Sequence, residues 1–407
     1  MKKTCLVSGF AALTFCAAAF AAREESVDPI WHLGGFGTLG AGYHSTEGIR
    51  FRRDLEQPLG YEGGRIGFRG DTRLGVQASA TFDPHWSVLV QAVSRLNSES
   101  NWEPQLSWTF LRYAPVDGLD VRLGRLGVDI FLDSDSRHLG YAFTTIRPPP
   151  EVLGVVTQDV FDGMDVTMRR AFGAGVASLR LYGGRSRGDS YFYGHPYTPP
   201  ATRRLGATLE WSYEALTLRL ALSDSHTRND MALTPLATAL ASLPVPLART
   251  RASQIDTAHH LVYSGIGALY ERGPFSAQGL VSWQRFSQFP TYEGWGTSLT
   301  MGYRIGAWKP YLSYSRLSFE PQEERDLSLS APYAALQSAY DKTVDRLTMH
   351  QHTVALGVRY DFARDYALKF QIDRVHAAES ILLIDSNGMP GRNVDMTLYS
   401  IALDFVF

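Results

Sequence analysis

The sequence predicts an all-β chain: a transmembrane antiparallel β-barrel of about sixteen strands. Three observations carry this expectation. Runs of about ten residues in which apolar and polar side chains alternate recur from Trp31 to Phe407, and period two is the signature of a strand. The connections between the runs alternate between very short and long. The mean hydropathy of −0.14, with 44% hydrophobic residues, excludes a multi-helix membrane protein. It suits a barrel, where lipid-facing residues occupy only every second position.

In chain order, residues 1–21 read as a secretory signal peptide. Lys2 and Lys3 supply the positive start, 6–20 are apolar or small, and Ala19-Phe20-Ala21 fits the cleavage pattern, with the cut after Ala21. Both cysteines, Cys5 and Cys16, leave with it. The remaining 22–407 then carry no thiol, which excludes disulfides, a cysteine nucleophile and cysteine metal sites. Residues 1–21 hold two lysines and no acid, so the formal net charge of −2 becomes −4. A 407-residue chain with 20% charged residues and this balance is neither disordered nor basic enough for a nucleic-acid surface.

The predicted strands are 31–43, 71–82, 85–97, 104–114, 118–126, 161–170, 175–186, 201–213, 215–226, 257–271, 273–287, 294–304, 307–319, 348–361, 364–377 and 394–407. Over 205–213, for example, Leu205, Ala207, Leu209, Trp211 and Tyr213 share one face, and Gly206, Thr208, Glu210 and Ser212 share the other. Tight turns fall near Asp83-Pro84, Pro115–Asp117, Gly173-Ala174, Glu214, Arg272, Gly306 and Ala363-Arg364. Long loops fall at 44–70, 127–160, 187–200, 227–256, 320–347 and 378–393, with shorter ones near 98–103 and 288–293. This places both termini on the short-turn side. A soluble sandwich has no reason to alternate its loops so strictly, whereas a bacterial outer-membrane barrel does. A closed barrel also pairs every backbone group in lipid without long apolar runs. Aromatic residues near strand ends, among them Tyr43, Trp86, Tyr213, Trp308, Tyr360 and Tyr399, suit the interfacial girdles.

The last strand alternates hydrophobic residues, Tyr399, Ile401, Leu403 and Phe405, and ends on Phe407. In 119–128, Arg122-Leu123-Gly124-Arg125 is followed by Arg137, Tyr141 and Arg147-Pro148-Pro149-Pro150-Glu151-Val152. On these residues the chain resembles the Gram-negative outer-membrane porins, of the trimeric sixteen-stranded type. The resemblance implies a homotrimer in outer-membrane lipid. It implies a C-terminal signal for the barrel-assembly machinery carried by Tyr399, Ile401, Leu403, Phe405 and Phe407. It also implies a third extracellular loop, 127–160, folded into the lumen as a constriction.

That loop is the longest predicted, and a long loop without regular structure is expected to be functional. Phe131, Leu132, Leu139, Tyr141, Phe143, Ile146, Val152 and Leu153 suit a packed internal segment, and Pro148–Pro150 suit a stiff polyproline stretch. Its charges are Asp129, Asp133, Asp135, Arg137, Arg147, Glu151 and Asp159. Strand parity gives a polar wall bearing Arg73, Arg95, Arg122, Arg169, Arg180, Arg204, Arg219, Arg304, Arg359 and Lys369, with fewer acids. Acids on a loop facing bases on a wall would set a transverse field of the kind that selects ions. The expected lumen and constriction set is Arg73, Arg95, Arg122, Arg125, Asp129, Asp133, Asp135, Arg137, Arg147 and Glu151. Within it, Arg73, Arg95 and Arg122 are expected to oppose Asp129, Asp133 and Asp135. The competing reading is that these arginines pair with neighbouring carboxylates and brace the wall.

No phosphate-binding loop, dinucleotide fingerprint or His-Glu-x-x-His occurs. His259-His260, His350 and His352 lie near loop ends and read as solvated rather than as metal ligands. No cofactor, metal or catalytic residue is expected. The expected function is passive diffusion of small hydrophilic solutes and ions through a water-filled channel in the outer membrane of a Gram-negative bacterium. The alternatives are a solute-selective channel with a binding site at the constriction and, from another class, a secreted β-rich enzyme or carbohydrate-binding protein.

Overall fold

A computed structural model describes residues 29–407, except 157, 193, 256, 288 and 323–325. The expected signal peptide lies outside the described residues. The main sheet has eighteen strands. Two of them, Ile49–Phe51 and Tyr61–Glu62, belong to the first long loop, and the other sixteen close a barrel.

The barrel strands are β1 (Ile30–Tyr43), β2 (Arg73–Thr81), β3 (Trp86–Arg95), β4 (Gln105–Val116), β5 (Leu119–Gly127), β6 (Val160–Phe172), β7 (Gly175–Ser186) and β8 (Thr202–Tyr213). They continue as β9 (Leu216–Thr227), β10 (His259–Arg272), β11 (Phe275–Ser287), β12 (Tyr292–Tyr303), β13 (Trp308–Pro321), β14 (Met349–Ala363), β15 (Tyr366–Asp385) and β16 (Pro390–Val406). Every neighbour in this series pairs antiparallel. β1 closes the ring, with Thr38 opposite Arg73 on β2 and Gly37 opposite Phe405 on β16. The C-terminal residue completes the seam: Gly35 and Phe407 exchange two backbone hydrogen bonds, at 2.8 and 3.0 Å.

Alternation sorts the two faces. On β8–β10 Leu205, Leu209, Leu220, Leu222 and Ile266 are exposed on the outside, while Arg204, Thr208, Ser223 and Ser225 are buried inside. A continuous exposed apolar band of this kind belongs in lipid rather than water. Stacked aromatic pairs mark the short-turn side, Trp86 with Tyr113 at 4.4 Å and Trp308 with Tyr360 at 4.1 Å between ring centroids. The turn between β4 and β5 needs glycine. Gly118 has φ +76°, and a Cβ there would lie 2.4 Å from the Arg169 carbonyl oxygen.

The expected loop at 378–393 is instead strand. β15 and β16 run on as a hairpin that turns only at 386–389. The Ile49–Phe51 strand pairs with it, Phe51 opposite Leu383, and Ile381, Leu382, Leu383 and Ile384 are all buried. Apolar packing on both faces erases the alternation that marks a half-exposed strand. The long connections at 228–258 and 322–348 carry helices α1 (Thr234–Ala241), α2 (Pro246–Gln254) and α3 (Ala334–Asp345), none of which the strand reading anticipates. Leu240, Leu243, Ala248, Phe289, Tyr340 and Val344 give these helices a small core of their own. The proline stretch also departs from expectation. Pro149 is extended, at φ −53° and ψ 117°, but Pro150 opens a helical turn, Pro150–Gly154. A first-turn position tolerates the missing N–H.

Candidate functional site

The connection 128–159 between β5 and β6 does not project from the barrel. It lies against inward-facing side chains around most of the wall. Phe131, Phe143, Ile146 and Val152 are buried, and Phe131 and Val152 join Phe110, Phe161, Tyr182 and Tyr263 in one apolar cluster inside the barrel.

Its first arm runs along the inner wall over β7–β11. The Asp129 carboxylate sits 2.9 Å from Arg180 and 3.1 Å from Arg219. Arg219 also donates to the Phe131 carbonyl, and Asp133 accepts from Gln278. Asp135 lies 3.5 Å from Arg180. Burial raises both the Asp129 and Asp133 carboxyls, and these donors pull them partly back.

The apex reaches the opposite end of the barrel, where the Tyr141 hydroxyl donates to the Arg364 carbonyl at 2.6 Å. Lys369 Nζ donates to the carbonyls of Gly140 (2.8 Å) and Thr145 (3.0 Å) and pairs with Asp404 at 2.8 Å. Gly140 is required there. A Cβ would fall 2.1 Å from Asp404 Oδ1 and 2.3 Å from Thr38 Oγ1.

The return arm is held by two buried charges. Arg147 spans Asp71 (2.7 Å) and Asp373 (2.6 Å), donates to Ser400 Oγ at 2.6 Å, and packs over the Phe51 ring. The flanking carboxylates hold its guanidinium firmly protonated, more than offsetting its burial. Glu151 has no cation against it among the described residues. Its carboxylate accepts from Ser315 (2.8 Å), Gln351 (2.7 Å) and Thr353.

Where the loop rejoins the wall, Asp159 lies 3.3 Å from Arg137 and 3.2 Å from His138 Nε2. Burial pushes the His138 imidazole down to about 4, although the Asp159 hydrogen bond pulls the other way. Arg95 faces this cluster but pairs with Asp54 at 3.1 Å and with Glu56, both from the first long loop. Burial holds Glu56 above the usual carboxylate range, against the pull of Arg95.

The expected opposition is therefore drawn differently in the structure. Arg73, Arg95 and Arg122 do not meet Asp129, Asp133 and Asp135. Arg122 pairs with its neighbour Asp165 at 2.9 Å, which is the bracing arrangement, and Arg95 meets loop acids that sequence reasoning missed. Arg73 is buried beside Gly140. The loop acids meet Arg180, Arg219 and Gln278 because the first arm runs along β7, β9 and β11 instead of folding back on its own strands. Arg125 is a correction. It is three residues from Arg122, hence on the opposite face, and pairs outside with Asp162 at 2.7 Å. Asp54 and Glu56 carry no signal in local pattern, since only the fold of the first loop brings them inward, whereas Asp71 shares the parity of Arg73 two residues on.

Above this loop, on the long-loop side, is a cavity of about 820 Å³. Arg204, Lys342 and Arg346 supply cationic groups to its lining, and Tyr197, Tyr263 and Phe286 supply rings. Arg204 is buried, and its Nε has no hydrogen-bond partner among the described residues.

The fold is shared with solved outer-membrane proteins at low identity. OmpT of Vibrio cholerae in its trimer form superposes with TM-score 0.55 at 9% identity, covering 93% of this chain and 99% of that one. The anion-selective porin of Comamonas acidovorans gives 0.53 at 12%, over 93% and 100%. The outer-membrane channel DcaP of Acinetobacter baumannii gives 0.54 at 10%, over 95% and 100%. No curated protein matches the sequence. The likeness to these proteins is one of overall barrel fold, and a family model for the Gram-negative porins matches residues 9–405, so the chain belongs to that family of outer-membrane channels.

Proposed function

We propose that this channel is a general porin, through which small hydrophilic solutes and ions diffuse passively, with 128–159 as its constriction. The observation that carries the reading is the pairing of Asp129 with Arg180 and Arg219 on the inner wall. It puts loop acids against wall bases, as a charge-selective pore requires. Sixteen strands leave an interior too wide for wall side chains alone to fill. Further parts of the same reading are a homotrimer, extracellular long loops, cleavage after Ala21, and recognition of Tyr399, Ile401, Leu403, Phe405 and Phe407 by the barrel-assembly machinery. These five side chains fall on the lipid-facing parity of β16 and its end, which supports the last point. No reaction is assigned.

The test is single-channel conductance of purified protein in a planar bilayer, with reversal potential in a salt gradient. Arg219→Glu should shift the reversal potential toward cation selectivity and Asp133→Asn toward anion selectivity. Absence of channel steps where a known porin conducts would defeat the reading. A second reading, a solute-selective channel, is favoured by the cationic and aromatic lining of the large cavity. Saturable block by benzoate but not benzamide, lost in Arg204→Gln, would select it over a general pore.

A further inference from the structure

His260, which reads from sequence as a solvated residue, meets a second histidine, His226, on the outer wall. The β9–β10 register sets His226 opposite His260 and Asp224 opposite Val262. Asp224 and His226 are two apart on one strand and so share a face. Ser223, Ser225 and Thr227 occupy the inner face of β9, which leaves Asp224 and His226 outside, at the long-loop end. Both imidazoles turn Nε2 to the same carboxylate: His260 Nε2 is 2.6 Å from Asp224 Oδ2, and His226 Nε2 is 3.0 Å from Oδ1. The rings stack with centroids 4.1 Å apart and planes 10° apart. One donor atom from each of the three residues can be chosen so that all lie within 4.8 Å of one another.

We propose that Asp224, His226 and His260 bind a divalent transition-metal cation of the zinc, copper or nickel type. Two imidazole nitrogens and one carboxylate oxygen are a borderline-soft ligand set that suits these ions, whereas one oxygen is too few for calcium or magnesium. Bonds of 2.0–2.1 Å in tetrahedral geometry separate ligand atoms by about 3.3 Å. The His226 nitrogen–oxygen separation, 3.0 Å, is already close to that, and the His260 one, 2.6 Å, has to open by about 0.7 Å. A simple ion pair explains one ring on the carboxylate. The second ring, as a neutral imidazole, can donate Nε2–H to the same carboxylate when no metal is bound. A neutral ring keeps a lone pair for a metal once its proton sits on Nδ1.

Metal binding requires the rings to turn about χ2, since lone pairs in near-parallel planes do not converge. The side chains are 53% (His226), 33% (His260) and 45% (Asp224) exposed, which gives them room to turn and lets water fill the fourth position. Arg203, opposite His226, and Arg285, opposite Val262 in the row of Asp224, place positive charge nearby. They weaken the site relative to an isolated one, so the expected affinity is moderate.

The experiment uses untagged, detergent-solubilised protein stripped with EDTA and titrated calorimetrically with Zn²⁺ near neutral pH. Cobalt is titrated in parallel for its ligand-field absorption. One zinc per chain is expected, with affinity falling roughly tenfold or more in His226→Ala and in His260→Ala. His376→Ala, which removes a different outer-face histidine–carboxylate pair (3.0 Å to Asp395), should leave the titration unchanged. Heat-modifiable migration verifies that each variant is folded. Absence of stoichiometric zinc uptake by the unaltered chain would overturn the proposal, as would uptake that survives the His226→Ala/His260→Ala double variant.

Discussion

Replacing Arg147 by leucine tests how the inner loop is held. The guanidinium is 1% exposed, and its partners Asp71 and Asp373 are 0% and 5% exposed. Removing it leaves two buried carboxylates facing an apolar side chain. Breaking a buried pair from one side costs about 3–5 kcal/mol, because a charge is stranded rather than because the pair itself is so favourable. Asp71 keeps its bond from the Tyr61 hydroxyl (2.7 Å) and Asp373 its bond from Gln371 (2.6 Å), which places the cost toward the lower end. At about 1.4 kcal/mol per decade, the undocked loop should rise in population by about two to three decades. Native-state proteolysis of the folded protein reads this directly, since cleavage follows the open population when closing is fast. Cleavage within 128–159 should accelerate about a hundredfold or more while the barrel resists. Adding Asp71→Asn and Asp373→Asn should recover much of the protection. An Arg147→Leu rate within twofold of the parent, or a triple variant no better than the single, would refute the stranded-charge argument.

Acidification should loosen the other end of the loop. His138 is held near 4 by burial, so between the unfolded value of about 6.5 and 4 the released loop binds a proton that the docked loop does not. The His138 contribution to docking is therefore undiminished above about pH 6.5 and weakens by about 1.4 kcal/mol per unit as pH falls toward 4. His138→Gln should flatten the pH profile of proteolysis over that window. Gly140→Ala should push the apex off Asp404 and Thr38, read as increased current noise with the barrel intact. Leu220→Arg, midway along the exposed face of β9, should lower the stability of the barrel in lipid vesicles by about 2–4 kcal/mol if that face meets the bilayer core. An unchanged folding midpoint would contradict that placement.

Strand positions were readable where one face of the sheet meets lipid and the other the lumen. The environment then alternates with the pleat, as in 205–213. The same logic failed at 378–393, where the first loop covers the hairpin and both faces are apolar. It failed again in the helical loops, whose packing is local to their own small core. At the candidate site, parity placed Arg180, Arg204, Arg219 and Lys369 on the inner wall, and parity alone also sends Arg125 outward. The partners were not readable. Asp129 meets Arg180 and Arg219, and Arg147 meets Asp71 and Asp373, across separations of tens to hundreds of residues that no local spacing encodes.

By itself the sequence determined a closed, antiparallel, membrane-spanning wall of about sixteen strands, and the long segment 127–160 inside it came from the resemblance to the porins. Backbone satisfaction in lipid leaves few alternatives once the period-two pattern is present. The tertiary structure alone decided what that segment touches and which outer residues converge. Ring closure brings β1 to β16 and the loop to the inner wall. It also brings His226 and His260, thirty-four positions apart, face to face through strand register. Such contacts arise from the geometry of the closed sheet, which no stretch of chain carries on its own.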